Sequence, residues 1–511
     1  MFARNVYLCT QMCNKMVKQL KLWIIAAILS LGATHVLYAQ PSNIALPKVS
    51  IDNLKGTLTK EVPVEATFTI NYTDETTGQP REERFRCLVS HRGATSIRFD
   101  KKSLKIAFLK QEGDGELDVR LPGLERTSDK YNLDAASIDR SRIRNRMAMD
   151  LFNSYSRLPY ATDLSGRHGI IGTYVEVWTE GRYSGLYCLT DRVNRKLMGG
   201  KKVKNGVVRG VVYKCKAFGN GCFLTADGTQ PEEGNRAWNA WEVKYPNEYP
   251  VEVWKPLQDL MDAPWDAEPD ATYVSLVRQH FYWDNLVDLY LLTLMAGVAD
   301  AGYKNSYLSQ PDHTADQRFV ITPWDMDHSF GATYCGTPLI DTSTLLGQSN
   351  WSKVPPFKRL LQNADFGFLA ALADRWAELR DGPLSVESVS HLMFSYADLF
   401  DHTDSWQHEH EAWNYNPVTM GTTAHDEAAY MVEWYEANHK ALSELLKPYQ
   451  TDGIEAIVQD PIVNSRSAQG DASHLKKSSN SKWFDLQGRK VANGKLQKGI
   501  YINTSTKMLI K

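Results

Sequence analysis

Four polar side chains in the stretch Val298–Gly331 have the types and spacing that phosphoryl transfer requires. Asp300 and Asn305 are separated by four residues, and Asp325 and Asp327 follow later in the same stretch. Such a transfer needs one carboxylate to orient the attacking hydroxyl and accept its proton. It also needs an amide and a second carboxylate to hold the metal ion on the nucleotide phosphates. Because these oxygen ligands suit Mg²⁺ or Ca²⁺, the stretch is a candidate phosphoryl-transfer site.

A β-hairpin is expected between the two halves of this candidate site. Tyr307–Ser309 and Phe319–Ile321 are short runs that predict its two arms. In protein kinases a hairpin in this position brings in the metal-binding Asp, and Asp325 would lie where the second arm ends. In extended backbone Asp325 and Asp327 would point to the same side. Holding two ionised carboxylates close together costs free energy unless a cation neutralises them, and this favours a metal site here.

A purely structural interpretation of the same residues is that Asp300 caps a helix and Asp325 begins a turn. An Asp and an Asn with four residues between them occur often by chance, so Asp300 and Asn305 alone are a weak motif. It occurs by chance much less often when the pair is followed by a hairpin and by Trp324-Asp325-Met326-Asp327. The combination favours the catalytic interpretation.

Before this stretch the chain mainly shows strand patterns. From shortly before the stretch to about residue 450 it mainly shows helical patterns. The alternation of apolar residues from Val62 to Ile70 predicts a half-buried strand, and residues 85–89 and 104–108 continue its sheet. From about Trp254 the chain is mainly helical, with a long apolar helix expected from Phe281 to Met295. The expected fold class is therefore α+β, with a β-rich N-terminal part and a mainly helical C-terminal part.

The N-terminus has the order of an export signal. Lys15, Lys18 and Lys21 form a basic stretch before the apolar run Leu22–Leu31, and Ala39-Gln40 is a cleavage point after small and polar residues. The apolar run is short for a transmembrane helix, which needs about 20 apolar residues. An uncleaved membrane anchor is the alternative.

Changes in composition divide the chain into four parts. We expect a signal peptide over 1–39, a main domain over 40–450, a Ser-rich linker over 451–475 and a small β module over 476–511. The last part is too short to be a stable enzyme by itself.

Charge and cysteine content exclude some classes of protein. The 511 residues carry a net charge of -2 without a long basic run, so general binding of nucleic acid is not expected. Five cysteines follow the signal peptide, which is an odd number, and no CxxC pair predicts a zinc site. Cys215 and Cys222 flank a turn-like stretch, where they form either a small disulfide loop or two thiols.

Several segments, in this order along the chain, resemble the CotH kinase family, the atypical kinases similar to spore coat protein H. The resemblance covers roughly residues 45–335, with the helical region to residue 450 as a possible extension, and Trp324–Asp327 is its most specific part. The segments that carry it are His91–Ser96, Lys101–Ile106, Asp139–Asn145, Gly185–Tyr187, Glu242–Pro246 and Trp324–Asp327.

The resemblance implies an atypical protein-kinase-like fold that binds ATP and Mg²⁺, with Mn²⁺ or Ca²⁺ as alternative metals. It implies that Asp300 is the catalytic carboxylate and that Asn305, Asp325 and Asp327 hold the metal. The nucleotide-binding positions that it implies are Arg92, Lys102, Lys105, Asp191 and Lys214. Asp191 stands where the family often has Glu, and its shorter side chain would reach less far toward a phosphate-binding lysine.

The function implied is that of an exported ATP-dependent phosphotransferase, which phosphorylates a Ser, Thr or other hydroxyl of a secreted or surface protein. The C-terminal module resembles the sorting tails of exported proteins of Gram-negative bacteria, so the secretion machinery is an expected partner at both ends of the chain. The expected location is extracellular, on the cell surface or periplasmic. One alternative is a catalytically weak kinase-like scaffold or surface-binding protein, since 24 Tyr and 14 Trp fit glycan recognition. Another is a metal-dependent hydrolase that uses Asp325 and Asp327.

We predict that the mature protein lacks its first 39 residues. The basic, apolar and small segments follow one another in the order that a signal peptidase requires. Mass spectrometry of the protein recovered from the producing cell should find a chain that begins at Gln40. A cytosolic protein that retains Met1 or Met16 would contradict this prediction.

Overall fold

The computed structural model describes residues 45–157, 169–217, 220–298, 304–333, 350–413 and 421–451, together with four short strands between residues 483 and 510. The chain divides into two compact units at the boundary between Gln450 and Thr451. The predicted signal peptide and Asp300 lie outside the described residues. The first unit is a mixed α and β structure, β-rich in its N-terminal part and helical in its C-terminal part, as the composition of its segments predicted.

Seven strands form a closed barrel in the N-terminal part of the first unit. Their order around the barrel is β1-β2-β3-β4-β5-β7-β6, and a parallel pairing between β1 and β6 closes it. The strands are β1 (Lys48–Asp52), β2 (Val64–Thr73), β3 (Pro80–Arg92), β4 (Ser103–Leu109), β5 (Lys130–Asp134), β6 (Gly172–Thr179) and β7 (Arg182–Thr190).

Alternation of apolar and polar residues gives the barrel its core. Ala66, Phe68 and Ile70 of β2 are all buried, because successive side chains of a strand point to opposite faces. Val62, which the same alternation included, precedes β2 and is 64% exposed. The predicted pattern is therefore right for the strand itself and begins two residues too early.

A second sheet lies beyond the barrel in sequence and contains the predicted hairpin. Its strand order is β12-β11-β8-β10-β9. The hairpin is confirmed as β11 and β12, with Leu308 opposite Ile321. The strands are β8 (Val211–Cys215), β9 (Ala237–Trp238), β10 (Trp241–Tyr245), β11 (Ser306–Gln310) and β12 (Val320–Pro323).

Helices make up most of the described residues of the first unit after residue 254. The α-helices in chain order are α1 (Arg144–Tyr155), α2 (Lys255–Met261), α3 (Asp270–His280), α4 (Trp283–Ala296), α5 (Pro355–Gln362), α6 (Phe368–Leu379), α7 (Val386–His402), α8 (Ser405–Trp413) and α9 (Ala424–Leu446). Among the described residues, no helix is both long enough and apolar enough to cross a membrane.

Helix α4 fixes the position of the hairpin. Its side chains are buried from Asn285 to Ala296, because it is apolar on nearly all sides. It begins at Trp283 rather than at the predicted Phe281, which is extended and pairs with Phe319. The buried Asn285 accepts a hydrogen bond from the amide of Ile321 at 2.7 Å and donates one to the carbonyl of Ile321 at 3.1 Å. These two bonds hold the outer strand of the hairpin against the helix.

A buried carboxylate joins the barrel to the C-terminal helices. Glu409 of α8 accepts hydrogen bonds from Nζ of Lys101 at 2.7 Å, from Nε of Arg142 at 2.9 Å and from the amide of Leu186 at 2.9 Å. Burial opposes its ionisation, but these donors outweigh burial and hold the pKa of Glu409 below its usual value. Gly185, with φ of +119°, leaves the space that this carboxylate needs, since a Cβ there would lie 2.6 Å from Oε2.

Of the two predicted alternatives for Cys215 and Cys222, the structure has two thiols. Cys215 and Cys222 are both buried and their sulfur atoms interact by a hydrogen bond, without a disulfide. Cys87 and Cys188 are also buried thiols. Burial raises the pKa of Cys87 to about 12, so this thiol is not reactive at neutral pH.

The second unit contains one antiparallel sheet of four strands in the order β14-β13-β15-β16. Its strands are β13 (Trp483–Asp485), β14 (Lys490–Val491), β15 (Ile500–Asn503) and β16 (Leu509–Ile510). Apart from Thr451, the predicted linker lies outside the described residues.

We predict that Glu409→Gln strongly destabilises the first unit. The amide keeps the shape of the side chain but leaves Lys101 and Arg142 buried without a counter-charge, a change that typically costs about 3–5 kcal/mol. Chemical denaturation should show this loss as a lower midpoint.

The matched control is Asp259→Asn, which removes an exposed ion pair with Lys255 on α2. It should cost less than about 1 kcal/mol. Equal midpoints for the two variants would mean that Glu409 does not join the barrel to the helices.

Candidate functional site

The loop that follows β12 carries the two acidic side chains of the candidate site. The backbone of Asp325 is left-handed, with φ of +64°, and Trp324 precedes it at the end of the hairpin. The prediction that Asp325 and Asp327 share a side because the backbone is extended is therefore wrong. The turn is sharp, and a non-glycine residue adopts it only when its surroundings hold it there.

Four side chains hold this loop by its backbone. Nδ2 of Asn305 donates to the carbonyl of Asp325 at 3.1 Å, and Oδ1 of Asn145 accepts from the amide of Met326 at 3.1 Å. The hydroxyl of Ser329 donates to the carbonyl of Met326 at 2.7 Å. Nε of Arg144 donates to the carbonyl of Ser329 at 2.9 Å. The loop is thus fixed from α1 on one side and from the start of β11 on the other.

The carboxylates of Asp325 and Asp327 are close enough to affect each other. Asp325 is exposed, whereas Asp327 is partly buried and lies 3.1 Å from Nδ1 of His328. Burial, followed by the charges of Asp325 and Asp134, raises the pKa of Asp327 to about 7, while His328 opposes this shift. Three carboxylates therefore share one small region of negative potential.

The geometry of this loop fits a divalent cation that has other ligands besides the protein. A cation would relieve the repulsion that raises the pKa of Asp327. Within the described ranges, no group of three or more His, Cys, Asp or Glu side chains is arranged to hold a metal ion. Mg²⁺ suits such a site, because it usually takes one or two carboxylates and completes its octahedron with water and phosphate oxygens. If Mg²⁺ binds here, Asp325 and Asp327 would supply its carboxylates and Asn305 its amide oxygen.

Two cationic side chains lie beside the ring of Trp324. The guanidinium of Arg92, at the end of β3, lies 5.5 Å from the centroid of that ring. Nζ of Lys214, on β8, lies 4.7 Å from it and 5.6 Å from the ring of Tyr307. Trp324 thus brings a barrel side chain and a side chain of the second sheet together beside Asp325.

The environment of Lys214 favours its neutral form in the absence of a ligand. Burial and the nearby charges of Arg92, Lys244 and Lys304 lower the pKa of Lys214 to about 7, and Asp325 alone among the main contributors opposes them. An anion bound at this position would restore the charged form.

The remaining predicted nucleotide-binding residues differ in their positions. Lys105, on β4, lies near Arg192 and Glu242, so it borders the cationic region. The amine of Lys102 instead donates to the carbonyl of Phe99. Asp191 forms an ion pair with Arg126 rather than with a lysine, and its other oxygen accepts from a backbone amide. The structure therefore groups Arg92, Lys105 and Lys214 and leaves Lys102 and Asp191 apart from them.

Sequence reasoning missed two residues that shape the loop. Asn145 bridges the amide of Met326 and Oδ2 of Asp134, to which its Nδ2 donates at 2.9 Å. Asn145 falls within a segment that carries the family resemblance, but its type and position suggested only the start of a helix. Asp134 ends a strand, and no local pattern distinguishes it from other acids of the chain.

The comparisons with known proteins agree with the resemblance noted in the sequence. A family model described as CotH kinase protein matches residues 89–442, which is more than half of the 511 residues. This range includes the end of β3, the barrel strands from β4 onward, the hairpin and the loop of Asp325. No curated protein matched the chain.

We predict that Asn145→Ala weakens Mg²⁺-dependent ATP binding by about 10-fold or more, the scale of a lost residue behind a metal ligand. The variant removes the acceptor for the amide of Met326, so the loop of Asp325 and Asp327 loses one of its supports. Titration with a non-hydrolysable ATP analogue, with and without Mg²⁺, would measure the effect.

The control is Asn153→Ala on the same helix. Asn153 also makes two hydrogen bonds, with the amide of Gly169 and the carbonyl of Ile170, but none with the loop. Both variants should lose similar stability, about 1–3 kcal/mol, and only Asn145→Ala should lose affinity. Equal affinities would show that Asn145 does not support the loop.

Proposed function

The chain belongs to the CotH kinase family, and on that premise we propose that it transfers the γ-phosphoryl group of ATP to a hydroxyl of a protein. The observation that carries the proposal is the meeting of unlike charges at Trp324. Two carboxylates that repel each other follow Trp324 in the loop, and two cations that form no salt bridge with any described residue lie beside its ring. A metal ion with a phosphate chain satisfies both sets of charges at once.

Each side chain has a separate role in this proposal. Lys214 and Arg92 bind phosphate oxygens, and the planar fork of Arg92 can hold two of them. Asp325 and Asp327 hold the metal, with Asn305 as a further ligand. When bound, the metal neutralises charge that develops on the transferred group. Asp300, whose role comes from the family resemblance, orients the acceptor hydroxyl and accepts its proton.

The acceptor that we propose is a Ser or Thr hydroxyl of a secreted or surface protein. The support for it comes from the sequence, where a signal-like N-terminus precedes the kinase region and a sorting-like tail follows it. An exported kinase would meet its substrates outside the cytoplasm. Its location is therefore part of the proposal.

We predict different defects for the two principal carboxylates. Asp325→Ala removes a charged metal ligand, so Mg²⁺-dependent ATP binding should weaken by about 10-fold or more. Asp300→Ala should leave ATP binding intact while phosphate transfer falls by ~10²-fold or more, the usual scale for a lost general base. Isothermal titration measures the first effect, and transfer of radiolabel from γ-labelled ATP to secreted proteins measures the second.

The control is Asp381→Ala, whose carboxylate is 84% exposed after α6 and lies 3.6 Å from Arg380. It should change neither binding nor transfer. Wild-type transfer by Asp300→Ala would refute the catalytic role of Asp300. If the wild-type protein binds ATP but transfers nothing, the scaffold alternative is favoured, and hydrolysis of ATP without an acceptor would favour the hydrolase.

A further inference from the structure

A short hairpin at residues 201–207, which we call the basic tongue, lies just before β8 in the sequence. The amide of Lys204 donates to the carbonyl of Val207 at 3.1 Å, and the amide of Val207 donates to the carbonyl of Lys204 at 3.0 Å. Asn205 and Gly206 between them are left-handed, with φ of +53° and +77°, as in the two-residue turns that match the twist of a hairpin. The tip of the tongue therefore has a defined shape.

The base of the tongue is attached to the second sheet. The amide of Lys201 donates to the carbonyl of Pro311, in the turn between β11 and β12, at 2.8 Å. The amide of Val203 donates to the hydroxyl of Tyr245 at 3.0 Å. Because β11 begins beside the loop of Asp325 and ends at this turn, the tongue and that loop lie at opposite ends of β11.

Every residue of the tongue is exposed to solvent. Successive side chains of a hairpin strand point to opposite faces, so an unbroken run of exposed residues means that no described part of the chain covers either face. Val203 is 39% exposed and Val207 is 53% exposed, and they are two of the five large apolar side chains that are exposed among the described residues. The tongue therefore projects from the first unit and carries apolar surface into water.

The tongue and the sequence around it are strongly basic. Residues 192–226 contain nine Lys and Arg residues and no Asp or Glu, although the whole chain has a net charge of -2. The three lysines of the tongue make no side-chain hydrogen bond or ion pair with any described residue; they are Lys201, Lys202 and Lys204. At the base of the tongue, Asp312 already pairs with Arg209. The positive charge of the tongue is thus available to an external partner.

The two faces of the tongue carry the same mixture of side chains. Lys204 and Val207 pair across the hairpin and share one face, and the alternation of the strand places Lys201 and Val203 on the other. A partner that covered one face alone would leave the valine of the other face in water. A layer of lipid headgroups instead surrounds a tip that enters it, and it offers phosphates to the lysines and an apolar region below them to the valines.

We propose that the basic tongue docks the protein on a membrane surface that is rich in anionic phospholipids. The lysines lie at the lipid phosphates, and Val203 and Val207 enter the interface. The inference does not depend on the proposed function, because no residue of the tongue belongs to the site around Trp324. Docking through the tongue leaves the loop of Asp325, at the far end of β11, outside the contact.

The test is cosedimentation of the protein, in the form recovered from the producing cell, with vesicles of phosphatidylcholine alone or mixed with an equal part of phosphatidylglycerol. The wild type should bind the mixed vesicles, and added salt should weaken this binding. The triple variant Lys201→Gln, Lys202→Gln, Lys204→Gln should bind them about 100-fold more weakly, since each lysine near an anionic surface contributes about 5-fold. Val207→Ser, which keeps the charge, should bind about 5-fold more weakly because it loses apolar contact.

The matched control is the triple variant Lys55→Gln, Lys60→Gln, Lys110→Gln, which removes the same charge from exposed positions outside the tongue. It should bind the mixed vesicles as the wild type does. All the variants should keep the wild-type melting temperature, because every substituted side chain is exposed. The tongue variant should also bind a non-hydrolysable ATP analogue with wild-type affinity, which separates docking from the proposed function.

Four results would overturn the inference. The first is a wild type that binds both kinds of vesicle equally, and the second is an equal loss of binding in the tongue variant and the control. The third is a wild type that ignores the mixed vesicles and binds polyglutamate through the same lysines, because the partner would then be an acidic protein surface. The fourth is loss of the ATP analogue by the tongue variant, which would place the lysines in the nucleotide site.

Discussion

The buried charges of one short segment, residues 139–145, position the loop that carries Asp325 and Asp327. Asp139, Arg142 and Arg144 are each at most 2% exposed, so every charge in the segment needs a partner inside the protein. Arg144 pairs with Asp139 at 2.7 Å and also holds the acidic loop at Ser329. Arg142 pairs with the buried carboxylate of α8 at 2.9 Å. The barrel, the acidic loop and the C-terminal helices therefore meet through one set of paired charges.

Paired and unpaired buried charges have different roles in this molecule. Lys101 is fully buried and directed at Glu409, and such pairs fix geometry because loss of one partner is expensive. Lys214 is also largely buried but forms no salt bridge with any described residue, and burial together with the charge of Arg92 lowers its pKa. Buried cations without an ion pair lower the free energy of unfolding. Such groups are found at functional sites, where a bound ligand restores the lost stability.

Local sequence patterns predicted the local structure of the site but not its long-range pairing. The hairpin of β11 and β12 could be read from short apolar runs, because a hairpin depends on neighbouring residues. The sequence could not show which of Lys101, Lys102 and Lys105 is buried, since the partner of Lys101 is 308 positions away. It also could not show the left-handed turn at Asp325, which contacts from Asn305 and Asn145 stabilise. Tertiary contacts decided each of these features.

Under the proposed function, metal binding and nucleotide binding depend on each other. The reason is that opposite charges lie close together around Trp324. Phosphate held by Lys214 and Arg92 would lie close to Asp325, and without a cation the two negative groups would repel each other. Metal held by Asp325 and Asp327 alone would lack ligands, because the described residues offer few further acids around it. Each ligand thus removes the charge that opposes the other, and by thermodynamic linkage the gain in affinity is the same in both directions. Under the proposed function, the metal–nucleotide complex, rather than either component, would therefore be the preferred ligand of this site.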